Sequence, residues 1–206
     1  MKKAVIFSTL SVSTMLFGGI AVTPTTSAFA KSQQKQLIAG SYTVGSDLKP
    51  GRYVVTATEG SGNFETTAKN SLTGENVNEI LGTDDPSLET ANVTADFATG
   101  DKIQIEGMSG ANFTPAPKGN KNNTASLTTG YWKVGRDIKA GKYTVTPAEG
   151  ESGNFMVDPK SITGDDVNEV LGADTSFSQT PKVNVNLHNG DKISISGMNT
   201  VNFAKR

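Results

Sequence analysis

The stretch GSYTVGSDLKPGRY, residues 40–53, returns as GYWKVGRDIKAGKY, residues 130–143, at an offset of 90 positions. Gly40, Val44, Gly45, Asp47, Lys49, Gly51 and Tyr53 each meet an identical residue in the second stretch. The offset holds again at Gly74/Gly164, at Val77-Asn78-Glu79/Val167-Asn168-Glu169, and at Gly100-Asp101-Lys102-Ile103/Gly190-Asp191-Lys192-Ile193. It still holds at Asn112-Phe113/Asn202-Phe203. An extra residue near Glu151 is cancelled by a missing one opposite Asn70, both in turn-like segments. Roughly half the aligned positions are identical, so the chain reads as a tandem duplication.

Within each copy the polarity mostly alternates with period two. Tyr53, Val55 and Ala57 share one face, as do Val93, Ala95 and Phe97, and Val183, Val185 and Leu187. Ile103 and Ile105, like Ile193 and Ile195, mark a strand that follows a Gly-Asp turn, and residues 99–100 and 189–190 read as hairpin tips. One segment departs from alternation. Residues 73–82 place Val77, Ile80 and Leu81 at helical spacing between a Thr and a Gly, and residues 163–172 repeat the arrangement, which predicts a short helix in each copy. The expected fold is all-β: two tandem homologous antiparallel β-sandwich or open-barrel domains, each with one short helix. The expected boundaries are a polar tail at 31–38, the first repeat at 39–113, a linker at 114–128 and the second repeat at 129–206. The linker is rich in Pro, Gly, Asn and Lys, and a flexible dozen residues would span ~19 Å on average and let the domains move independently.

The runs Val44-Gly45-x-Asp47-Leu48-x-x-Gly51-x-Tyr53 and Val134-Gly135-x-Asp137-Ile138-x-x-Gly141-x-Tyr143 resemble a VG-x-D-I-x-x-G-x-Y module of exported and surface proteins of Gram-positive bacteria. The Gly-Asp-x-Ile strands at 100–103 and 190–193 fit the same resemblance. It implies a small all-β extracellular module, a family with no assigned activity, and hence no catalytic residues to carry across.

The N-terminus points the same way. Lys2 and Lys3 precede an uncharged apolar segment, and Ala28 and Ala30 offer small side chains ahead of Lys31, the pattern of a cleaved secretory signal peptide over residues 1–30. Removal would leave 176 of the 206 residues, with net charge −3 rather than −1. No later apolar stretch approaches the roughly 20 residues of a membrane span, so no membrane insertion is expected after signal removal. The expected localisation is extracellular, in the medium or held non-covalently at the cell surface.

The composition excludes several chemistries. There is no cysteine and one histidine, so disulfides, thiolate metal sites, cysteine nucleophiles and multi-histidine metal centres are impossible. Nineteen basic against 20 acidic residues give no basic excess for nucleic acid. The copies differ, however: residues 37–114 carry 4 basic and 11 acidic groups, and residues 128–206 carry 9 of each.

Carboxylates recurring in both copies (Asp47/Asp137, Glu59/Glu149, Glu79/Glu169, Asp84/Asp174 and Asp101/Asp191) admit a small hydrolase using an acid–base pair. Each also has a structural role to fill, with Asp47 and Asp137 placed to accept backbone N–H groups in an Asx turn. The glycine-rich turns at 60–64 and 150–155 lack a following Gly-Lys-Ser/Thr, so they are not phosphate loops. Among the aromatics, the Trp132 and Tyr42 rings fall on core faces, whereas Tyr131 and Phe177 replace Ser41 and Ser87 and are surplus to a core. No catalytic, cofactor or metal residues are expected. The candidate ligand-contact residues are Tyr131, Trp132, Phe177, Asp47 and Asp137. The expected function is a non-enzymatic envelope or matrix interaction protein that binds a protein or polysaccharide through two modules. A pair of carbohydrate-binding modules is the alternative.

Overall fold

Alternation of polarity resolves into strands that bury one face each. A computed structural model of the chain describes residues 34–70, 74–85, 87–117 and 126–206. The segment carrying Ala28, Ala30 and Lys31, and residues 118–125 of the expected linker, lie outside the described residues. Twelve strands occur among the described residues: β1 Lys35–Thr43, β2 Gly51–Ala57, β3 Gly62–Thr67, β4 Asn78–Leu81, β5 Val93–Phe97, β6 Lys102–Pro115, β7 Ser126–Lys133, β8 Gly141–Pro147, β9 Gly153–Asp158, β10 Val167–Leu171, β11 Val183–Leu187 and β12 Lys192–Lys205. The chain is all-β, an open mixed sheet with the path β10-β9-β12-β7-β5-β2-β6-β3-β4.

The two halves of this path use one pairing scheme. The 14-residue β6 pairs antiparallel with β1, β2 and β3, while β2 also pairs β5 and β3 pairs β4. In the same way β12 pairs β7, β8 and β9, β8 pairs β11, and β9 pairs β10. Both long strands change partners midway: residues 102–106 of β6 lie against β3 and residues 111–115 against β2, with a register shift in β1 between Ile38 and Gly40. That break bends the strand so that one element serves both faces of a core.

The buried apolar residues form two clusters. The first gathers Tyr53, Val55, Phe64, Phe97, Ile105 and Phe113; the second gathers Tyr143, Val145, Phe155, Leu187, Ile195 and Phe203. Edge-to-face rings knit them together, with Phe64–Phe113 centroids 5.9 Å apart and Tyr143–Phe203 also 5.9 Å apart. Each such pair contributes about 0.5–1.5 kcal/mol beyond its buried area. No disulfide assists them.

Two expectations are corrected. The segments expected to be helical, 73–82 and 163–172, instead carry strands β4, Asn78–Leu81, and β10, Val167–Leu171, and the described residues contain no α-helix, only the single 3-10 turn Thr175–Phe177. Val77, Glu79 and Leu81 are buried while Asn78 and Ile80 are exposed, which is period two. Helical spacing puts Ile80 with the core, whereas pairing with β3 turns it outward and Glu79 inward. The turns at 99–100 and 189–190 are also not hairpin tips, because β5 does not pair with β6 or β11 with β12. They carry the chain between separate neighbours. The buried Asp101 carboxylate accepts the Ala98 and Lys69 N–H groups at 2.7 and 2.9 Å, and Asp191 holds His188 and Lys160 in the same way.

Candidate functional site

Three of the five residues picked out by the sequence, Tyr131, Trp132 and Asp137, meet where β5 joins β7. This is the only parallel contact among the strand pairings of the described residues, and it links Thr94 to Gly130. Gly130 has φ +132°, and a Cβ there would sit 2.1 Å from the Thr94 carbonyl oxygen. Glycine is required at this position by both conformation and contact. Gly40, 90 positions earlier, has a similar φ of +147° but nothing closer than its own Tyr42 hydroxyl, at 3.4 Å.

Charged side chains close over this backbone contact. Arg52 on β2 reaches Asp96 on β5 at 3.1 Å, donates to the Tyr131 carbonyl at 2.8 Å and approaches Asp137 at 3.5 Å. Arg136 reaches Asp96 at 2.7 Å and Asp137 at 2.9 Å. Arg52 and Asp137 are deeply buried, with side chains 12% and 4% exposed. The Arg52 guanidinium also lies over the Trp132 ring, 5.0 Å from its centroid, a cation–π contact. Around this network Asn199 accepts from Ala91 N–H at 2.7 Å and donates to the Glu89 carbonyl at 3.2 Å. Thr128 donates to Asn92 at 3.2 Å.

The five candidate residues therefore separate. Tyr131 is half-buried against the first core cluster, and its hydroxyl donates to the Asn76 carbonyl. Trp132 is fixed by its Nε1 donating to the Thr128 carbonyl at 2.8 Å and by Arg52 over its face. Asp137 accepts from Lys133 N–H at 2.9 Å, the expected Asx-type bond, and is also an anchor of the ion network. Asp47 makes the equivalent bond to Thr43 N–H at 2.8 Å but is exposed and far from this junction in its partners. Phe177 projects from the 3-10 turn, 77% exposed. The structure brings Tyr131, Trp132 and Asp137 together and leaves Asp47 and Phe177 elsewhere.

Two carboxylates that the sequence reading placed on a helix or passed over also face the junction. Glu79 on β4 is buried and accepts from Gly197 N–H at 3.2 Å; burial raises its pKa, opposed by hydrogen bonds from Ser196 and Gly197. Glu75 accepts from Asp96 N–H at 2.6 Å. Burial, with the neighbouring Asp96 charge, pushes its pKa from an ordinary 4.5 to about 7. The signal available in the sequence was difference rather than likeness: Arg52, Asp96, Tyr131, Trp132, Arg136 and Asn199 stand opposite Lys142, Asn186, Ser41, Tyr42, Ser46 and Ser109. Many of the side chains that build the junction stand where the copies diverge, whereas Gly130, Asp137 and Glu79 have identical counterparts in Gly40, Asp47 and Glu169.

A cleft of about 810 Å³ opens beside it, lined by Lys69, Glu75 and Asp96 from the first half and by Tyr131, Trp132, Lys133, Arg136 and Lys192 from the second. Its size suits a small molecule or a short stretch of polymer. Trp132 also lines a smaller cleft of about 250 Å³ with Arg52, Leu127 and Asp137. Among the described residues no group of three or more His, Asp or Glu side chains could hold a metal ion, and no helix is long and apolar enough to cross a membrane. Compared with family models, curated proteins and solved structures, the chain matches none.

Proposed function

We propose that the protein is an exported, non-enzymatic binding protein of the bacterial cell surface or its surroundings. In this reading residues 1–30 are removed as a signal peptide, and the remainder is two tandem homologous antiparallel β-sandwich modules of the VG-x-D-I-x-x-G-x-Y kind. Support comes from the N-terminal pattern, from the repeated sequence, and from the single pairing scheme shared by β1–β6 and β7–β12. The observation that carries the reading is the junction cleft. It is a concave surface that neither half can form alone, because its lining comes from both. Two modules fixed together gain by pre-organising one composite site, a different advantage from the avidity of two mobile sites on a linker.

The carbohydrate reading places a sugar on Tyr131 and Trp132. Both rings are committed to the junction, and Arg52 covers one face of Trp132, so they make a poor stacking platform. The test is fractionation of the producing culture into medium, wall and membrane, followed by binding of the purified protein to isolated walls. The proposal predicts recovery with the wall and saturable binding. Recovery entirely in the medium, with no wall affinity, contradicts the surface role.

A further inference from the structure

Lys133 on β7 and Lys192 on β12 are directly opposed in the antiparallel ladder, so their side chains leave the sheet on one face, and both line the junction cleft. Like charges opposed in this way destabilise a sheet. The arrangement is specific to the second half. At the corresponding place in the first half Lys102 faces Thr43, and its amino group donates to the Thr43 hydroxyl at 2.8 Å. In the second half Lys133 takes the place of that threonine and Asp158 the place of Thr67, so Lys192 lies between a like charge and an opposite one, and Lys133 has only the like charge opposite it. Among the described residues neither Lys133 nor Lys192 has an ion-pair partner, although Asp158 lies opposite Lys192 on the other neighbouring strand. Lys69 brings a third amino group to the cleft from the first half.

The acids in the cleft do not answer these lysines. Asp96 is held between Arg52 and Arg136, and Asp101 is occupied by two backbone N–H groups. Glu75 is turned to the Asp96 N–H group and is half neutral near pH 7. Tyr131 stays protonated, since burial raises its pKa further.

We propose that the junction cleft binds a polyanion, a polymer bearing phosphate or carboxylate groups, with Lys133 and Lys192 gripping one anionic group and Lys69 meeting the next. The inference rests on the binding-protein reading above and names the chemistry of its ligand. Anion binding relieves the repulsion between the paired lysines, so the ligand stabilises the fold as it binds. The three amino groups at a rim open to water make the interaction sensitive to salt.

The experiment is calorimetric titration of the purified protein with polyphosphate, with polygalacturonate and with neutral dextran, at low and at physiological salt. Saturable binding of polyphosphate or polygalacturonate, weakened by salt and not seen with dextran, supports the proposal, and the polymer preferred identifies the anionic group. The variant Lys133→Thr restores the arrangement found around Lys102 and should fold at least as well as the natural protein. It is expected to bind about tenfold more weakly, and Lys69→Gln several-fold more weakly. Failure of both polyanions to bind, or unchanged affinity in Lys133→Thr, overturns the inference. Wall binding that persists without polyanion binding removes this inference and leaves the binding-protein reading standing. Polyanion binding by a protein that ignores the wall removes the envelope reading instead.

Discussion

Alanine at Gly130 and alanine at Gly40 form a matched pair of perturbations. Both positions have positive φ, +132° and +147°, so both substitutions carry a similar backbone strain of about 1–2 kcal/mol. Only at Gly130 does the new methyl meet another strand, 2.1 Å from the carbonyl oxygen and 2.6 Å from the nitrogen of Thr94. Those are backbone atoms, so no rotamer change relieves the collision, and β5 and β7 must separate. Separation breaks the 2.8 Å bond from Arg52 to the Tyr131 carbonyl and parts Arg52 and Arg136 from partners across the junction. Losing a partner from a buried ion pair costs about 3–5 kcal/mol, and of the two contacts parted only Arg52–Asp137 is buried, Arg136–Asp96 having side chains 34% and 39% exposed. Each arginine keeps one carboxylate on its own side, Asp96 for Arg52 and Asp137 for Arg136, which favours the lower end of that range. The expected difference between the variants is therefore about 3 kcal/mol, or about 6–12 °C in Tm for a protein of this size. Thermal and urea unfolding of Gly130→Ala, Gly40→Ala and the natural protein measures it directly. Equal melting of the two variants would refute the claim that the junction contributes to stability.

Three further outcomes follow from the site. Glu75 has a folded pKa of about 7 against an ordinary 4.5, so the fold favours its neutral form; its contribution is fully present below about pH 4.5 and is lost as the pH rises through 7. Glu75→Gln should accordingly remove part of the decline in stability between pH 4.5 and 7, seen as a flatter Tm profile than that of the natural protein. Tyr131→Phe deletes the hydroxyl bonded to the Asn76 carbonyl and should cost about 1 kcal/mol in urea unfolding, with polyanion affinity changed less than in Lys133→Thr. Phe177→Ala, at an exposed ring away from both clefts, should move stability by less than about 0.5 kcal/mol and leave polyanion binding unchanged.

Much of the β architecture was legible because alternation survives wherever a strand buries one face. Tyr53, Val55, Ala95, Phe97 and Ile105 were readable as core from parity alone, and all are buried. Helical spacing misled at β4, where alternation buries Val77, Glu79 and Leu81 and exposes Ile80, and the buried Glu79 is satisfied by the Gly197 N–H across the junction. Asp137 and Asp47 were indistinguishable by motif, and only Asp137 is drawn into an ion network, since that depends on Arg52 from β2, 85 residues away in sequence. Tyr131 stood out as surplus to a core, and Trp132, though on a core face, was a candidate for ligand contact. Their purpose was hidden because a residue that packs against another half of the chain looks, in sequence, like a residue that awaits a ligand. Comparison of the copies position by position carries part of the missing information: it points to Arg52, Asp96, Tyr131, Trp132 and Arg136, but not to Gly130 or Asp137, which the copies share.

The junction implies that the two halves move as one body, and the absence of cysteine makes this directly measurable. Glu59 and Glu149 occupy corresponding exposed turns, so Glu59→Cys and Glu149→Cys together accept two spin labels without competing thiols. Pulsed dipolar spectroscopy of that doubly labelled protein is predicted to show one narrow distance distribution, broadened when Gly130→Ala is added. A broad distribution in the otherwise natural protein, of the kind a flexible dozen-residue linker produces, would contradict the account.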